Sequence, residues 1–190
     1  MNDPFLEAEG VHTEQGAMTE SINSAVQQRQ NKVYGREDVG DERNRFRTEW
    51  ANLIRDESKR YVNSTSTIAP SDAEHCQAIQ RIADNLSIRF ATCLFNGRQR
   101  FGTSQKALNL YLKYLWRLGL AMEPPHCPID SIVLSAGGLT GSWTRCDSEK
   151  EYMKWIGWLR DMAKPLSLAE WEYRVWSRDA PSQKQQLKHE

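Results

Sequence analysis

From Ala107 to Leu120 the chain reads Ala-Leu-Asn-Leu-Tyr-Leu-Lys-Tyr-Leu-Trp-Arg-Leu-Gly-Leu, with apolar side chains on nearly every side of a helix. A surface helix shows one apolar stripe, whereas a helix that is apolar all round must be enclosed by others. The segment is too short for a membrane, since a spanning helix needs about 20 apolar residues. No run of 18 apolar residues occurs anywhere in the sequence. The stretch therefore predicts an all-α domain built around one central helix. A chain of 190 residues is the size of one such domain. Seven Trp and six Tyr supply bulky core material. Hydrophobic residues are 39%, below an average globular domain, so part of the chain is expected not to pack.

Helical periodicity begins at Arg43, and Phe46, Trp50, Leu53, Ile54 and Tyr61 share one face. The polar run from Asn63 to Thr67 and Pro70 end that helix. Ser71 and Glu74 make a capping-box pattern ahead of a second helix, with Cys76, Ile79, Ile82, Ala83, Leu86 and Phe90 facing inward. Asn96-Gly97 and Gly102 mark a loop, and Thr103 or Ser104 is expected to cap the central helix. Pro124, Pro125 and Pro128 stiffen the next connector. Asp130 stands where a cap belongs, before Ser131-Ile132-Val133-Leu134. Asp147 or Ser148 opens a helix with Tyr152, Trp155, Ile156, Leu159 and Met162 on one side, and Pro165 stops it. Ser167 with Glu170 opens a last helix through Trp176. No segment alternates with period two for long.

The expected division is a polar acidic arm at 1–42, a single α-helical domain at 43–178 and a polar tail at 179–190. The first 28 residues hold five acids and no Lys or Arg. That composition suits a mobile tail with one short helix around 20–30, and the alternative is an arm packed on the domain. Met1-Asn2-Asp3-Pro4 has neither the basic nor the apolar part of a secretory signal. Cys76, Cys93, Cys127 and Cys146 are too sparse for a disulfide scaffold, so reduced thiols in a cytoplasm are the expectation. The steps His75-Cys76 and His126-Cys127 invite a metal reading. Neighbours on a helix diverge by about 100° and no Cys-x-x-Cys spacing exists, so no metal or other cofactor is expected.

The 25 basic residues equal the 25 acids, which excludes a uniformly basic nucleic-acid coat. The distribution is uneven. Nine acids and three basic residues fall in 1–42, leaving the rest of the chain at plus six. Between Asp84 and Glu123 there is no acid, while Arg89, Arg98, Arg100, Lys106, Lys113 and Arg117 lie in that interval. Positive charge around a helix start suits a phosphate backbone, and backbone N–H groups there would add to the attraction. The alternative is a solvated basic face paired with acids distant in sequence.

Lys106 and Asp130 each stand near the start of a helix, joined by one connector. A Lys near a helix N-terminus loses its proton more readily when other cations crowd it, and a neutral amine is a nucleophile. An Asp at a helix start stays ionised and can support developing positive charge. The plain alternative is an Asp cap beside a surface Lys.

Phe101-Gly102-Thr103-Ser104-Gln105-Lys106-Ala107-Leu108, then Lys113, Pro128-Ile129-Asp130 and Pro165-Leu166-Ser167-Leu168 follow one another in an order that resembles the helix-hairpin-helix DNA glycosylase superfamily. The likeness is strongest to the archaeal 8-oxoguanine glycosylase branch, and it covers about residues 98–177. It implies that duplex DNA is the partner and that a damaged or modified base is flipped into a pocket. The amine of Lys106 would attack the sugar, with Asp130 stabilising the sugar cation. A Schiff base would follow and permit strand cleavage. Gln105 and His126 would line the site, Tyr173 would stack on the base, and Arg98, Arg100 and Lys113 would touch phosphates. The superfamily's Leu-Pro-Gly-Val-Gly-type hairpin is missing, and the connector to Asp130 is shorter than in the archaeal branch. Ala169 stands where that branch carries a base-contacting Asp. A module that holds DNA or another protein without chemistry is the rival reading. Most of the aromatics Trp143, Trp155, Trp158, Trp171, Tyr173 and Trp176 are expected in the core.

Overall fold

The computed structural model describes residues 3–26, 33–35, 40–62 and 69–186, with side chains to Ser177. Its helices are α1 (Pro4–Glu9), α2 (Glu14–Val26), α3 (Gly40–Val62), α4 (Asp72–Phe90), α5 (Phe101–Arg117), α6 (Ser131–Ala136), α7 (Glu149–Ala163) and α8 (Leu168–Gln186). The all-α expectation holds: among the described residues there is no strand, only an isolated bridge between Tyr34 and Leu94. No helix among them is long and apolar enough to cross a membrane.

The central helix is α5. Every residue from Phe101 to Leu115 is buried. It is walled by α2, α3 and α4, and the segment at 143–145 lies across its start. Enclosure on all sides is what its apolar pattern requires. The caps at Ser71, Asp130, Ser148 and Ser167 are also as read. Ser71 and Glu74 form the reciprocal capping box of α4. Ser148 and Ser167 accept from the third N–H beyond them. The inward residues of α4 are all buried. On α7, Met162 faces out instead and is 45% exposed.

The cap read for the start of α5 is corrected. Thr103 and Ser104 do not cap α5, because they lie inside its first turns and are buried. The cap comes from the chain 44 residues on: the Gly102 amide donates to the Cys146 carbonyl at 2.8 Å and the Phe101 amide to the Asp147 carboxylate at 3.4 Å. A Cβ on Gly102 would sit 1.8 Å from the Trp143 carbonyl oxygen, so only glycine lets the two backbones cross there. The acidic arm is packed, in agreement with the second alternative. Phe5, Leu6, Val11, Ala17, Met18, Ile22 and Ala25 belong to the same core as α5. The helix looked for around 20–30 is α2, which starts earlier, and positions 27–30 lie outside the described residues. The stretch read as a polar C-terminal tail is helical to Gln186.

Candidate active site

A hydrogen-bonded clamp joins α5 to the start of α6. Gln105 grips the backbone of Ile129 from both sides: its Nε2 donates to the carbonyl at 2.7 Å, and its Oε1 accepts from the amide at 3.1 Å. The next residue on each strand of the clamp forms an ion pair, Lys106 Nζ to Asp130 Oδ2 at 2.6 Å. The dipeptide Gln105-Lys106 thus holds the dipeptide Ile129-Asp130. The stiff prolines before Ile129 limit how that segment can present itself.

Asp130 divides its carboxylate between two tasks. Oδ1 accepts from the Ile132 and Val133 amides at 3.0 Å each, capping α6. Oδ2 is left for Lys106. Burial pushes the Asp130 acid upward, but the Lys106 charge, its hydrogen bond and the two amides outweigh burial and hold it below the ordinary carboxylate range. Asp130 is therefore a fixed anion beside an amine.

Both side chains open onto a cavity of about 130 Å³ between α1, α2, α5, α6 and α8. A cavity of roughly 150 Å³ can hold a benzene ring, so this one is the size of a single aromatic ring. A second buried pair lines it. Lys113 Nζ donates to Glu172 Oε1 at 2.9 Å, while Oε2 lacks a well-directed donor even though the same amine is 2.7 Å away. Burial raises the Glu172 acid, partly opposed by Lys113. The rest of the wall is contributed by Phe5, Tyr114 and Trp176, with Glu9 and Glu20 from the arm.

The other sequence-derived candidates are dispersed. Gln105 is fully buried and bonds to backbone and Asn109, which makes it a clamp rather than a cavity wall. His126 is also fully buried, between the Tyr152 hydroxyl and Asp72, and does not line the cavity. Lys113 is not at a surface where phosphate could reach it, being 2% exposed. Tyr173 packs at the edge of the arm, under the Arg117 guanidinium and 6.4 Å from the Phe5 ring, outside the cavity lining. Arg98 pairs with Asp147 at 2.9 Å, and Arg100 donates to the Thr144 carbonyl at 2.9 Å.

Every cation of the acid-free interval has a partner, most of them acids far away in sequence. Arg89 meets Glu49, Lys106 meets Asp130, Lys113 meets Glu172 and Arg117 meets Asp3. The α5 amides counted toward phosphate are occupied by the segment that crosses them. Glu172, Glu9, Glu20, Phe5 and Trp176 were not singled out from sequence as site residues. Glu172 could have been sought as a carboxylate to match Lys113 on an otherwise apolar helix. Among the described residues no three metal-ligating side chains converge. His75 and His126 do meet, with ring centroids 4.4 Å apart, but each is engaged by Tyr, Asn or Asp.

Comparison of the chain with family models, with curated proteins and with solved structures gave no match.

Proposed function

We propose that the protein is a base-excising enzyme acting through Lys106 and Asp130, a DNA glycosylase with lyase capacity. The observation that carries this reading is the meeting of a Lys amine and an ionised Asp at 2.6 Å on the wall of a ring-sized cavity. An extruded base occupies the cavity and its sugar lies beside the pair. As the C1′–N bond to the base breaks, the base leaves with the electron pair. The fixed charge of Asp130 stabilises the cationic sugar that remains. The Lys106 ammonium gives a proton to the departing base, the amine so freed donates its lone pair to C1′, and the proton released on addition passes to the Asp130 carboxylate. Asp130 returns that proton to the ring oxygen as the C1′–O4′ bond breaks, which leaves a protonated Schiff base. Removal of a C2′ proton by the Asp130 carboxylate then expels the 3′ phosphate with the electron pair of the C3′–O bond.

The test is incubation with duplexes carrying a panel of damaged and modified bases, with borohydride reduction in parallel. Wild type should release one base and leave a covalent adduct, and Lys106→Gln should abolish the adduct. Release with no adduct removes the Lys106 nucleophile. No release from any duplex removes the enzyme reading.

In a second reading the protein is a non-catalytic α-helical module that binds DNA or a protein, and the matched cations favour the protein. Phosphate contacts make affinity fall steeply with salt, so a flat salt titration with DNA favours a protein partner.

A further inference from the structure

The face of α5 and α8 that carries the cavity is covered by α1, and α1 has the makings of a lid. It is a single six-residue helix that ends at Gly10 in the left-handed region (φ 67°), with no atom within 4 Å of a Cβ built there. Its contacts with the body include the buried Leu6 and the Tyr173 hydroxyl, which donates to Asp3 at 3.5 Å, and two others tie it to α5. Asp3 caps it through the Phe5 and Leu6 amides and also pairs with Arg117, the last residue of α5. Phe5 is 1% exposed and lies parallel to Tyr114 at 5.0 Å, with the edge contact to Trp176 at 4.8 Å. The Lys113 ammonium sits 4.1 Å from the centre of the Phe5 ring, nearer than the Trp176 ring at 5.8 Å and the Tyr173 ring at 6.0 Å, so Phe5 is the closest of the rings that cover it. By contrast α2 is fastened along its length, burying Ala17, Met18, Ser21, Ile22 and Ala25, mostly against α5.

We propose that α1 is a lid over the Lys106–Asp130 cavity, latched by Asp3 on Arg117 and by Phe5 on Tyr114, and that it lifts about Gly10 to admit a ligand. Phe5 holds the place of the ligand's planar ring against Tyr114. Opening exposes the Lys113–Glu172 pair, which is otherwise sealed. This inference rests on the cavity being the ligand site.

The experiment uses the full chain as wild type, Asp3→Asn and Phe5→Ala. Asn keeps the cap of α1 but removes the charge that meets Arg117. Lys113 acylation is mapped by mass spectrometry against the exposed Lys59, with α2 amide exchange recorded on the same samples. The lid predicts that Lys113 labels about tenfold faster in Phe5→Ala, and severalfold faster in Asp3→Asn, while α2 protection is unchanged. Lys113 labelling that stays flat in both variants, or that rises only in step with α2 exchange, overturns it. Base release is then measured in single turnover. Release by wild type that neither variant speeds up overturns the lid and spares the excision reading. Faster Lys113 labelling with no release by any variant removes the excision reading and spares the lid.

Discussion

Asn109 carries much of the buried polar order. Its Oδ1 accepts from His75 Nε2 at 2.7 Å, and its Nδ2 reaches the Gln105 oxygen, the Cys127 carbonyl and the Tyr152 hydroxyl. The Tyr61 hydroxyl donates to His75 Nδ1, and the Tyr152 hydroxyl to His126 Nδ1. Both rings are thereby fixed as neutral tautomers. Burial pushes His75 down to about 3 and also lowers His126. A histidine with a depressed folded value contributes stability that is complete above its unfolded value and is lost as pH falls toward the folded one. Stability should therefore fall below about pH 6.5, by roughly 1.4 kcal/mol per pH unit for each histidine. Urea titrations between pH 7 and pH 5 measure this, and His75→Gln should remove one histidine's share of the slope. An unchanged slope would rule His75 out as a source. Asp72 and Asp130 are also lowered and add their losses only near and below pH 4, whereas Glu172, raised by burial, works the other way. At the ion pair, Asp130→Asn keeps the cap but leaves Lys106 without its anion. The expected cost is about 3 kcal/mol, read from the urea midpoint. None of the lysine and glutamine burial on α5 was legible, because Lys and Gln read as surface residues until their partners 24 and 59 positions away are known.

Among the elements, α5 and α4 were the most legible, since local pattern and tertiary demand agree in both. The capping box of α4 and the cap at Asp130 are local chemistry and were read correctly for that reason. The start of α5 was misread because its cap is a carbonyl and a carboxylate from far down the chain, which leaves no local side-chain signature. Gly102→Ala tests that junction. The added methyl would drive into the Trp143 carbonyl, which is backbone and cannot swing aside. The expected loss is about 3 kcal/mol or more, measured by thermal or urea unfolding. Full stability in that variant would mean the crossing is looser than described. The arm was underestimated for a different reason. Three of the five buried residues of α2, Ala17, Ser21 and Ala25, are small and make little apolar pattern.

Over the whole molecule the zero net charge resolves into an acidic arm laid on a basic body. Asp3 meets Arg117, and Glu14 accepts from the Tyr111 hydroxyl at 2.9 Å. If arm and body are one cooperative unit, Ile22→Ala on α2 should cost about 2–4 kcal/mol, as a core substitution does. A substitution on a mobile tail would cost within about 0.5 kcal/mol. Equilibrium unfolding of the full chain distinguishes the two. The crossing at Gly102 also has a meaning in time. A ribosome makes α5 well before the segment from Trp143 to Asp147 that ties its first turn. Until that segment emerges, the elements available to enclose α5 are those made before it: α1, α2, α3 and α4. The α2 helix, already made when α5 emerges, is the element that packs most extensively on it in the finished chain.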